Sequence, residues 1–379
     1  VTGTTPQDEL FVPIPVGSFW MGAGAGEPCP VGYIGPGCVG DGSGSTTAEP
    51  DAGQSLYLHY VRLTTPFEIM STEVTQGAWR AVFNGWNPSE HAACGDDCPV
   101  EHVTWFDALV YANQRSLAIG LAPCYVLTDI ECEDGASGTG EFDCINVLHR
   151  GIKQATVSLV DETPYACEGY RLPTDAEWEM AARAGSQSAV YPTPGEGGGD
   201  GSVVDLGDAC APLEPNLDGI AWYCANAEVD YPSWSDCAWG SGGPACGPSE
   251  TAKKAPNAWG LYDMIGNVSE WCWDGWQQVL DGSMQDPAVD PATAPNGYAT
   301  QRGGCWDCDA RFMRAATRWG YAHDWRYGFG GLRLVRSLRT LEDPDEDGLS
   351  NDNDGSGTAS DNPCTEEPIF QATCDDNCG

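Results

Sequence analysis

Cys305 and Cys308, in Cys305-Trp306-Asp307-Cys308, form the only Cys-x-x-Cys pair in the sequence. Two thiols at this spacing can close a disulfide, cycle between redox states or hold a soft metal ion. A zinc site needs a second such pair or nearby histidines. The five histidines, at positions 59, 91, 102, 149 and 323, are scattered, which excludes a zinc cluster and offers no facial triad for non-haem iron. Glycoside hydrolysis needs two carboxylates flanking a cleft, and among 56 Asp and Glu no pair stands out.

Those acids dominate the composition. They oppose 17 Lys and Arg, for a formal net charge of -39, with lysine only at 153, 253 and 254. Such a polyanion repels nucleic acid and anionic lipid and suits divalent cations. No run of about 18 apolar residues occurs, so membrane insertion is not expected. Eighteen cysteines, mostly beside Gly, Pro or Asp, read as a disulfide framework and an extracellular, cell-surface or periplasmic location. The start at Val1 fits a mature form without its signal peptide. With 41% hydrophobic residues, the 379-residue chain can build a core.

Few regular elements are available to position these groups. Residues 11–22 read as one strand-like apolar run closed by Gly22. Thr75 can cap a short helix with Trp79, Val82 and Phe83 on its apolar face. Thr104 caps a second, with Trp105, Ala108, Leu109 and Ala112 on one face, ending at Gly120. Thr174-Asp-Ala-Glu177 is a capping box opening a third, closed at Gly185. Gly and Pro interrupt the rest, giving an α+β chain of long loops. Residues 1–8 form a lead-in, 9–337 the domain, and 338–379 an acidic tail with three cysteines. This odd number implies a pairing outside the tail or with another chain.

The motifs run in a recognisable order: Pro15-Val-Gly-Ser-Phe-Trp-Met-Gly22, Glu73-Val-Thr75, Pro99-Val-Glu-His-Val-Thr-Trp105 and Gly169-Tyr-Arg-Leu-Pro-Thr-Asp-Ala-Glu-Trp-Glu179. They continue with Gly260-Leu-Tyr-Asp-Met-Ile-Gly-Asn-Val-Ser-Glu-Trp271, Arg302-Gly-Gly304 and Gly331-Leu-Arg333. Together they resemble the sulfatase-modifying factor family, whose founding activity is the formylglycine-generating enzyme. The resemblance implies a low-regularity, C-type-lectin-like domain. It also implies a copper(I) site between two thiolates just after Arg-Gly-Gly. Cys308 falls on the first thiolate position, but the place of the second is Met313 or a gap, and Cys305 replaces the serine after Gly-Gly. The thiol pair is therefore expected to be a disulfide, with a relocated copper or redox site as the alternative.

Calcium is the cofactor the resemblance implies more fully. Carried over, its ligands are the Asp263 and Glu270 side chains with the Gly266 and Val268 carbonyls, hard oxygens in one tight loop. A second site begins at Asn226 and the Ala227 carbonyl. Asn267-Val-Ser269 also fits a glycosylation sequon, but its place in that loop argues against use. In the tail, Asp343, Asp345, Asp347, Gly348, Asn351 and Asp354 occupy positions 1, 3, 5, 6, 9 and 12 of an EF-hand-like pattern. With Asp at position 12 and no flanking amphipathic helix, this stretch is similar to thrombospondin type 3 repeats.

The expected function is a secreted or cell-surface, calcium-stabilised binding or structural protein whose oxidase site is degenerate. The alternative is a copper-dependent oxidase of peptide cysteine, with Cys308 as catalytic thiol, Cys305 as partner, and Trp105 and Arg314 lining the site. A carbohydrate-binding module is the third, suggested by the lectin-like fold. The partners this implies are another extracellular protein, a glycan or a second copy of the chain.

Overall fold

The computed structural model describes residues 10–22, 59–133, 135, 144–145, 151–188, 210, 213, 215–233, 235–236, 243–277, 284–294 and 297–338. These residues form a mixed α+β domain whose helices start where hydroxyl caps predict. Helix α1 spans Gln76–Val82, with Thr75 accepting from the Ala78 amide. Helix α2 spans Trp105–Ala118 behind a Thr104–Asp107 capping box. Helix α3, Asp175–Arg183, opens on the Thr174–Glu177 box and ends with Ala184 in the left-handed conformation.

The expected apolar run at 11–22 divides into two strands, Phe11–Ile14 and Gly17–Met21, that enter different sheets. Pro15 has no N–H to continue a ladder, so the chain turns there. Phe11–Ile14 pairs with Phe67–Met70, which pairs with Val335–Ser337 and so ties the start of the domain to its end. Gly17–Met21 pairs with His59–Leu63.

A second four-stranded sheet carries the chemistry. Its order is Arg318–Ala322, Tyr298–Arg302, Ser269–Gly275 and Gly330–Gly331. Every residue of Ser269–Gly275 is buried, as expected for an inner strand packed on both faces. One core cluster holds Trp178, Met264, Cys272, Cys305, Cys308 and Met313; another holds Trp79, Trp105, Trp271 and Trp273.

With so few regular elements, covalent bridges fasten the loops. Cys94–Cys98, Cys124–Cys167, Cys132–Cys144, Cys210–Cys224 and Cys305–Cys308 are disulfides, and Cys246 is also disulfide-bonded. Cys272 is a free, buried thiol. Among the described residues no helix is long and apolar enough to cross a membrane. The lead-in at 1–8 and the tail from 339 onward lie outside the described residues.

Candidate functional site

Downstream of Tyr298–Arg302, Gly303 and Gly304 take positive φ, of 97° and 77°, and turn the chain back beneath the sheet. A side chain at Gly304 would collide with the Met313 terminal methyl, so glycine lets Met313 lie against the backbone. Cys305 and Cys308 follow, with their sulfurs bonded to each other. Trp306, between them, is fully buried and donates Nε1–H to the Gly328 carbonyl at 2.7 Å. The Cys308 carbonyl accepts from the Cys224 amide.

A copper(I) pair does not fit this arrangement. Cys308 is spent on Cys305, and Met313 is a buried thioether packed in the same core cluster. The Cys272 thiol is raised well above its ordinary range, first by burial and then by the Asp175 charge, so it is held protonated. Trp105 belongs to the second core cluster, whereas Cys305 and Cys308 belong to the first. Trp105 Nε1–H bonds the Cys272 carbonyl at 2.9 Å and its ring stacks on His323. Arg314 is buried.

The loop before Ser269–Gly275 places the residues expected for calcium. Asp263, Gly266 and Asn267 all have positive φ, and Gly266 abuts the Trp222 backbone so closely that no side chain could be added. Asn267 is buried with its amide bonded to the Ser249 backbone, so the sequon is inaccessible. Val268 is buried against Gly331.

Asp263 and Glu270 do not face each other as an open clamp. Glu270 accepts from Arg333 Nε and Nη2 and from Trp178 Nε1, which occupies both of its oxygens. Asp263 accepts the Ala252 amide through Oδ2 at 2.7 Å, while its Oδ1 has no hydrogen-bond partner. Beside it lies Glu73, 0% exposed, and neither Glu73 oxygen has a partner from another residue.

Burial, and then the Asp263 charge, raise Glu73 well above the carboxylate range. Burial also pushes Asp263 up to about 6. Thus Glu73, Asp263 and Glu270 surround a single guanidinium, Arg333, which also donates to the Met70 and Tyr262 carbonyls. Three buried carboxylates against one cation leave negative charge that low-dielectric surroundings penalise. Asp263 Oδ1 and both Glu73 oxygens are left without partners, while Glu270 is committed to arginine.

Sequence reasoning placed Glu73 in a motif but gave it no role. Its signal is an acid three residues after the strand Phe67–Met70 and one before Val74, where burial should be expected. At the second expected site, Asn226 bonds the Tyr223 amide, Asp218 and the Ala221 carbonyl, and the Ala227 carbonyl accepts from Gly247. Both groups are engaged within the protein. The tail residues Asp343, Asp345, Asp347, Asn351 and Asp354 lie outside the described residues.

The profile of the sulfatase-modifying factor enzyme 1-like domain matches residues 3–338. The chain belongs to this family. It is 32% identical over 310 residues to the chaperone protein LppX of Paenibacillus barcinonensis, a match spanning 78% of this chain and 92% of that protein. It is 33% identical over 157 residues to the formylglycine-generating enzyme of Thermomonospora curvata, covering 40% of this chain and 44% of the enzyme. Among solved structures, Treponema denticola variable protein 1 superposes with a TM-score of 0.57 at 25% identity. That superposition covers 86% of this chain and 95% of the other. The relatives matched include a formylglycine-generating enzyme and a chaperone, so membership alone does not decide the activity.

Proposed function

We propose that this family member is an exported, calcium-stabilised, disulfide-rich binding protein in which the family's oxidase site is degenerate. The observation that carries the proposal is the Cys305–Cys308 bridge, which leaves Cys308 without a free thiol. The relative matched over 92% of its length is named a chaperone, whereas less than half of the matched formylglycine-generating enzyme is covered, which favours binding over oxidation. The five disulfides joining described residues favour an oxidising location outside the cytoplasm.

In this proposal calcium has a structural role. Asp263 and Glu73 would supply oxygens, and the ion would offset the charge that Arg333 leaves uncompensated. Incubation with Cu(I) and a cysteine-containing peptide, with oxygen consumption followed, tests the loss of oxidase function. The proposal expects no peptide-dependent consumption; turnover abolished by Cys308→Ser would overturn it.

A further inference from the structure

The strand Arg318–Ala322 is the last of its sheet among the described residues, and its outer face is aromatic. Trp319 and Tyr321 alternate with Gly320, so both point to one side. The other side is filled, because a side chain at Gly320 would strike the Trp276 indole. Beyond the strand, Trp325, Tyr327 and Phe329 extend the row. Ring centroids are 5.9 Å apart for Trp319–Tyr321, 4.9 Å for Tyr321–Trp325, 4.4 Å for Trp325–Tyr327 and 4.9 Å for the stacked Tyr327–Phe329 pair. Trp325 is 44% exposed and the other four rings are half-buried. Trp319 and Phe329 rest on one core cluster and Tyr321 on another, so the row is rooted in the core and Trp325 is its exposed ring.

The neighbouring charges indicate the ligand. Elsewhere the protein's own cations lie over aromatic faces: Arg115 and Arg336 on Tyr170, Arg171 on Tyr165, Arg302 on Trp178, Lys254 on Trp222. None of these pairs involves a ring of the band. The nearest arginines in sequence are committed, Arg318 to Asp175 and Arg326 to Asp107 and Glu133. Asp324 is exposed at the band's edge, in a chain of net charge -39. The exposed Trp325 ring beside a carboxylate suits a cation. Sugar recognition would need free polar groups flanking the rings, but Arg326 is engaged and His323 stacks on Trp105.

We propose that the band of Trp319, Tyr321, Trp325, Tyr327 and Phe329 docks an extended, arginine- or lysine-rich polypeptide segment. Arginine guanidiniums would stack on the rings while the segment lies along the edge strand. The proposal rests on the binding-protein assignment and supplies its site.

The test uses the full chain in calcium-containing buffer with a fluorescent arginine-rich peptide, its glutamate-substituted counterpart and a cello-oligosaccharide. Anisotropy should show binding of the arginine peptide alone, weakened about tenfold by Trp325→Ala and several-fold by Tyr321→Ala, with Trp325→Phe retaining most of it. Asp324→Asn should weaken binding about twofold. Unchanged circular dichroism would show that the exposed-site variants fold. Arginine-peptide binding that is equal in wild type and Trp325→Ala would mean attraction to a polyanion only and would overturn the proposal. Preference for the oligosaccharide would also overturn it. Both results leave the binding-protein assignment standing; copper-dependent oxidase turnover would remove that assignment whatever the band binds.

Discussion

Two arginine-centred networks lie in this core, around Arg302 and Arg333, and they differ in how completely charge is matched. Arg302 bonds Asp175 and Glu179; Arg318 joins Asp175, and Arg183 joins Glu179. Burial pushes Asp175 and Glu179 up, but the guanidiniums outweigh it and hold both below the usual carboxylate range. Around Arg333 the balance reverses. Glu270 is fully paired, while Glu73 and Asp263 keep unpartnered oxygens and are raised. The first network matches its charge with its own arginines, and the second leaves carboxylate oxygens without partners. The first is therefore scaffold, and the second is where stability should respond to a cation.

The largest expected effect tests the scaffold. Arg302→Met leaves Asp175 and Glu179 short of partners and should cost about 3–5 kcal/mol. That loss, read from denaturant unfolding, should be the same with calcium and with EDTA. A calcium-dependent loss would erase the distinction between the networks.

Next comes calcium itself. Binding only to the folded state should raise stability by about 2.7 kcal/mol at a hundredfold excess over Kd. EDTA should lower Tm, and Asp263→Asn combined with Glu73→Gln should remove that dependence. Indifference of Tm to EDTA would leave protons as the compensation around Arg333.

A smaller effect is expected from pH. Burial, and then the Asp175 charge, push Asp274 up to about 7. Folded Asp274 therefore holds its proton more tightly than the unfolded chain, where the pKa is about 3.9. The folded state binds more protons, so this group's contribution falls as pH rises from about 4 to about 7. Asp274→Asn should flatten that part of the stability–pH curve. An unchanged slope would mean that Asp274 is ionised in the fold.

The smallest effect serves as a surface reference. Lys153 and Glu131 pair at 3.1 Å but are about half exposed, so Lys153→Ala should change stability by no more than ~0.5 kcal/mol.

What was legible in the sequence follows from the range of each interaction. The caps at Thr75, Thr104 and Thr174 act over three residues, and each announced its helix. The Cys305–Cys308 spacing was equally local. The break at Pro15 could be read from proline's missing donor, but not the two different sheets its flanks would join. Glu73, Asp263 and Arg333 are brought together only by tertiary folding, and Glu270 turns to Arg333 from 63 residues away. No local pattern distinguishes a carboxylate bound for arginine from one left for a cation. The aromatic band was missed because rings in a core and at a surface look alike in sequence until one face is seen to be filled.

Mass spectrometry of the unreduced protein, digested around residues 305–308 and exposed to a thiol-alkylating reagent, tests the degenerate-site assignment most directly. The account predicts that Cys305 and Cys308 stay unlabelled and appear as one internally bridged peptide, two hydrogens lighter than its reduced form. Labelling of both thiols, with stoichiometric Cu(I) retained by the protein and lost on Cys308→Ser, would contradict it.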